Sequence, residues 1–258
     1  MAIKGRMPKA AAVVLAAALF LAGCGGPTQE MQEARSQGIA LMESGDYEGA
    51  VEIFNGLTNE ARRVTDFETD VLEYRAEAEF CLEDYEAAAH TYATLAKLEK
   101  KRAEFSYMGA LALSMAGDTD AAMERLSAGK EADKDLERPG YEEAVLALAK
   151  AFSDQGQAER AALLYEELSD NGFENTELLN FQMMGAMEAG EYETALSLAE
   201  RGLSLSDELA KKELAFNQAV CYEYMGQYEK ALELFLAYTD SYGSDARAQH
   251  EITFLSTR

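Results

Sequence analysis

Tryptophan is absent from this 258-residue chain, which also holds only three prolines, three cysteines and two histidines. Proline breaks helices, so Pro8, Pro27 and Pro139 leave long stretches free to be helical, and abundant Ala, Glu and Leu favour that state. The two histidines, His90 and His250, have no partner at metal-ligand spacing. No glycine-rich phosphate loop and no Gly-x-Ser-x-Gly elbow occurs. With 47 acidic residues, carboxylate pairs arise everywhere and none singles itself out for acid–base work. The expectation is a protein that is not an enzyme, with no catalytic residue, no metal and no cofactor.

Positive charge is scarce too. Twenty-three Lys and Arg face 47 Asp and Glu, for a net charge of −24. Residues 1–23 hold Lys4, Arg6 and Lys9 but no acid, so a product starting at residue 24 carries −27. Nucleic-acid binding needs a basic footprint and is not expected. Adsorption to anionic lipid is disfavoured by the same balance. A solvated acidic coat, a preference for basic partners and a high-salt habitat all fit the composition.

What the chain has instead is a repeat. Gly45-Asp46-Tyr47 leads to Ala50 and Phe54, and related segments begin at Gly117, Gly156, Gly190 and Gly226. A sixth, Glu83-Asp84-Tyr85, replaces the glycine. The anchoring alanines stand at 50, 88, 122, 161, 195 and 231, in steps of 38, 34, 39, 34 and 36 residues. A period near 34 marks a stacked helical array. Each unit reads as a helix, a tight turn with a left-handed residue, and a second helix. The acidic or amide residue after the glycine sits where the second helix exposes its first amides. The alanine lies where two helices cross closely.

These segments resemble the tetratricopeptide repeat (TPR) family from about Met31 to Asp245. In register, the small residue of the first helix falls at Gly38, Ala76, Ala110, Ala149 and Ala219, with Met183 departing in the fifth copy. The family's early Trp and its closing Pro are missing. The resemblance implies an all-α, right-handed solenoid of about six helix-turn-helix repeats, over residues 31–245. A capping helix over 246–258, carrying Ala246, Ile252 and Leu255, would cover the last apolar face. Glu137-Arg138-Pro139-Gly140 reads as a long loop between repeats three and four. Cys81 and Cys221 fall four repeats apart, beyond the reach of a disulfide, which needs α-carbons within about 7 Å. Both are expected as free, mostly buried thiols.

The N-terminus has a basic head, an apolar run from Ala10 to Phe20, and then Leu21-Ala22-Gly23-Cys24. That run is too short to span a bilayer and fits an export signal over residues 1–23. Leu-Ala-Gly-Cys resembles the bacterial lipobox. The resemblance implies cleavage before Cys24, lipid on its sulfur, and residues 24–30 as a short link to the first repeat. A secreted protein with a chance cysteine is the alternative.

In the TPR family the first helices line a concave groove for a peptide or partner helix. Carried over in register, the groove here comprises Arg35, Ile39 and Met42, then Glu73, Glu77 and Phe80, then Tyr107 and Leu111. It continues with Leu146 and Lys150, then Asn180, Met184 and Met187, and last Phe216, Val220 and Tyr224. The same residues could instead pack against neighbouring repeats. An aromatic and methionine lining with acidic neighbours suits an amphipathic or basic segment of another protein. Together these features imply a lipid-anchored scaffold or adaptor on the extracytoplasmic side of a bacterial membrane. An assembly lipoprotein resembling pilus or secretion pilotins is the second reading.

Overall fold

The computed structural model describes residues 26–59, 63–243 and 245–258. The expected export segment, residues 1–23, and Cys24 lie outside the described residues. Thirteen helices run through the described residues, the first twelve paired as antiparallel hairpins. They are α1 (Gln29–Glu43) with α2 (Tyr47–Asn59), α3 (Asp66–Cys81) with α4 (Tyr85–Leu98), and α5 (Glu104–Met115) with α6 (Thr119–Ala132). Then come α7 (Tyr141–Asp154) with α8 (Ala158–Asp170), α9 (Thr176–Glu188) with α10 (Tyr192–Ser204), and α11 (Lys211–Tyr224) with α12 (Tyr228–Tyr242). The last, α13 (Ala246–Leu255), packs on α12. The architecture is a right-handed α-solenoid of six TPR hairpins closed by a capping helix.

The hairpin turn is the same each time. Gly45, Gly117, Gly156, Gly190 and Gly226 take φ between 73° and 82°. Glu83 holds that conformation at φ 59° in the second repeat, where a side chain costs about 1–2 kcal/mol. Capping depends on side-chain length. Asp46, Asp84 and Asp118 accept from the amides of Gly49, Ala87 and Ala121 at 3.0, 3.2 and 3.2 Å. Gln157, Glu191 and Gln227 at the same place make no such bond, so the expected cap is present only where the residue is Asp.

The six register alanines are all wholly buried, at 0–1% exposure. Across from them in five of the six hairpins, the small residue of the first helix meets a large one of the second. At Gly38 even a methyl group would come within 2.5 Å of the Phe54 ring. Repeat five exchanges the two sizes. Met183 stands where the others have Gly or Ala, and Ala199 stands where the others have Phe, Tyr or Leu. Both are fully buried in one core cluster.

The loop between α6 and α7 is organised by buried Asp133. It accepts from the Tyr107 hydroxyl at 3.2 Å and from the amides of Glu137 and Arg138 at 3.3 and 2.9 Å. One core cluster runs from Ala103 to Leu178, across that loop. The α8–α9 step is sparser and leaves a cleft of about 220 Å³ beside the stacked Tyr165 and Phe181 rings, below the roughly 300 Å³ at which small-molecule pockets begin. In the cap, Ala248 and Leu255 are the buried residues, while Ala246 is exposed. Asp245 caps this helix through the Ala248 amide at 2.9 Å and accepts from the Tyr238 hydroxyl at 2.6 Å.

Candidate functional site: the concave face

The first helices of the hairpins lie side by side, and the flank turned away from the second helices is the face the sequence nominates. Its two ends differ. In the first three repeats, polar side chains there bind one another. Arg35 on α1 reaches Asp70 on α3 with two nitrogens, and its guanidinium sits 5.0 Å from the Tyr74 ring centre. Arg102, just before α5, makes a two-nitrogen bridge to Glu73 and a further one to Glu104 at 2.7 Å. It also covers the Phe105 ring at 4.1 Å. Ile39, Met42 and Phe80 are partly buried, Phe80 edge-on to Tyr85. Glu77 is exposed.

Two expected groove residues, Tyr107 and Leu146, prove to be core, and Phe216 is partly buried against it. Tyr107 is completely buried, because Gly129 on α6 leaves room for its ring and Asp133 takes its hydroxyl. Phe216 packs edge-on against Phe235 and Tyr238 under the capping helix, with Arg247 covering it at 4.6 Å. Leu146 is buried, and Leu111 and Val220 are partly buried against core clusters. Lys150 is exposed and paired with Asp154 at 3.1 Å.

The remaining expected residues form an open strip on α9 and α11. Asn180 accepts a hydrogen bond from Asn217 at 3.0 Å, which ties the two helices together. One turn on, Met184 is 47% exposed, with partly buried Met187 beyond it. At the end of α11, Tyr224 is 69% exposed and lies parallel to Tyr192, ring centres 5.6 Å apart. Exposed Glu188 and Glu191 flank the pair. At the other end of the strip is Glu177, whose carboxyl accepts from the Tyr165 hydroxyl at 3.2 Å. Burial pushes that carboxyl above the usual glutamate range, more than Tyr165 and Lys150 pull it down. A surface with methionine, two parallel stacked aromatic rings and peripheral carboxylates can hold an apolar side chain and a cation together.

Reading the first helices alone missed Tyr192 and Asn217. Tyr192 comes from a second helix, at the end of the turn segment that begins at Gly190. Asn217 is one residue from a nominated position, and nothing in its neighbours marks the link to Asn180. Of the thiols, Cys221 is buried and pushed up to about 11 by that burial, whereas Cys81 is exposed, contrary to expectation. Both are free.

Residues 213–244 match the tetratricopeptide repeat family. No curated protein is similar to the chain in sequence. Among solved structures, the apo form of the quorum sensor NprR from B. thuringiensis is 14% identical, with a TM-score of 0.60 over 87% of this chain and 68% of that one. PilW, described as a widely conserved type IV pilus biogenesis factor, is 16% identical, with a TM-score of 0.58 over 87% of this chain and 99% of its own. A tetratricopeptide repeat protein from Parabacteroides merdae is 12% identical, with a TM-score of 0.56 over 90% of this chain and all of its own. At these identities, what the chain shares with all three is the fold: this is a tetratricopeptide-repeat solenoid.

Proposed function

We propose that the chain is a lipid-anchored scaffold of the bacterial cell envelope that binds another protein through the α9–α11 strip. The observation that carries the binding half is Tyr224, 69% exposed and stacked on Tyr192, with exposed Met184 on the neighbouring α9. Large apolar side chains are left exposed at a cost, and contiguous ones mark interaction surfaces. The net charge and flanking carboxylates favour an amphipathic or basic partner segment. The anchoring half rests on Leu21-Ala22-Gly23-Cys24 behind a basic head and a short apolar run. No helix of the described residues is long and apolar enough to cross a membrane, so attachment would fall to the lipid on Cys24. Two or three acyl chains hold firmly, each buried methylene contributing roughly 0.8 kcal/mol.

A pilotin-like role in assembling a pilus or secretion system is the second reading. It has the same anchor and strip, and the PilW likeness in fold and length is what favours it. A pilus or secretion subunit recovered with the protein would select it over the general scaffold. Anchoring itself is tested by Cys24→Ser, which should leave the precursor uncleaved or release the product from the membrane fraction. Unchanged cleavage and membrane association would remove the lipoprotein reading.

A further inference from the structure

The charges of the first three repeats are sorted between the two edges of the solenoid. One edge carries the hairpin turns, at residues 43–49, 82–88 and 115–121, and these contain acids but no lysine or arginine. The other carries the loops between hairpins, described at 63–66, 97–104 and 130–140, where cations gather. Two acids of this second edge, Asp133 and Glu104, are turned inward, and so are Glu73 and Glu167 on the adjoining helices. Asp133 is buried under Tyr107, Glu73 and Glu104 hold Arg102, and Glu167 is taken by Lys130 and Tyr141. The ammonium groups of Lys97, Lys100 and Lys101 are exposed and form no ion pair among the described residues. Exposed Glu131, Asp135 and Glu137 dilute the next loop, so the basic patch centres on the α4–α5 connection, where the acids Glu99 and Glu104 are partly buried.

The start of α1 lies on that same edge, since every first helix begins there. Thr28 caps α1, and Cys24 is four residues earlier, a reach of at most about 13 Å. A chain tethered at Cys24 therefore hangs from its basic edge, with the acidic edge opposite. We propose that Lys97, Lys100 and Lys101 contact the anionic headgroups of the anchoring membrane, so that the solenoid lies edge-on with its acidic turns outward. This inference rests on the lipid-anchor reading. Three lysines near an anionic surface are too few to bind alone, but they can orient a body already held there by lipid.

Full-length processed protein can be reconstituted in vesicles of phosphatidylcholine, with or without phosphatidylglycerol, and recovered by flotation. Amine acetylation is then read lysine by lysine, with Lys150 and Lys230 as references away from the edge. Labelling of Lys97, Lys100 and Lys101 should fall roughly threefold or more in phosphatidylglycerol vesicles. It should recover at about 0.5 M salt, where charges are screened within a few ångström. Equal labelling in both vesicle types by floated protein would overturn the lipid contact and leave the anchor standing. Protein that does not float would overturn the anchor and the contact with it. Protection by inorganic phosphate on phosphatidylcholine vesicles would mean a small-anion site and would overturn the membrane contact.

Discussion

Over the first three repeats the cations of the concave face are already taken, Arg35 by Asp70 and Arg102 by Glu73 and Glu104. Each guanidinium also covers an aromatic ring. Over repeats five and six the equivalent surface has an amide pair, exposed Met184 and the uncovered Tyr192–Tyr224 stack. The first region spends its polar groups holding neighbouring helices in register. The second does so with one Asn–Asn bond and leaves its large side chains to solvent. Two stretches of one repeat can thus share a backbone plan and differ in whether a partner has anything left to bind.

Overpacking should produce the largest effects and separates the two regions. Ala50→Leu and Ala195→Leu each force a larger side chain into a fully buried crossing, at about 1–3 kcal/mol. Thermal unfolding should register both, but only Ala195→Leu should also weaken capture of a partner from the cell's own envelope extract. Equal loss of capture in both would abolish the distinction. Next comes the strip itself. Met184→Ala with Tyr224→Ala should weaken that capture by more than tenfold, since truncating an interface anchor commonly costs about 2 kcal/mol. The same pair should move stability by no more than about 0.5 kcal/mol, both side chains being exposed. Full affinity in that variant would point to another face.

Smaller still is the unlocking of the first region. Arg35→Met and Arg102→Met remove partly exposed ion pairs, each contributing about 1 kcal/mol or less. A modest drop in melting temperature with unchanged capture is expected, and a loss of capture would show that this end binds too. The smallest effect is a pH dependence. Because burial raises the Glu177 carboxyl, the folded state holds that proton more tightly than the unfolded chain. Its stabilisation is full below the ordinary glutamate pKa and is lost as pH rises through the raised value. Glu177→Gln should flatten that part of the melting-temperature profile upward from about pH 4, and an unaltered profile would mean that the carboxyl is solvated.

The repeat was legible because a helix crossing tolerates little change in volume. Each buried alanine, each left-handed glycine and each aromatic four residues after the alanine is imposed by local geometry, and so leaves a periodic trace. Repeat five shows how far that goes. Met183 looks like a departure until Ala199, 16 residues on, is seen to yield the space. The concave face was legible only in part. Register nominates positions without telling whether a side chain turns inward, and Tyr107 does so because of Gly129, 22 residues away.

From the sequence alone came the number of hairpins, their turns, the capping segment and the scarcity of cations, all set by contacts within one repeat or by composition. Tertiary structure decided which carboxylates are spent on internal partners, that Tyr192 meets Tyr224, and that the lysines of one loop share an edge with the start of α1. Those facts depend on which repeats lie side by side and on how each side chain turns, and such relations, most of them across 26 or more residues, leave no periodic mark in the chain.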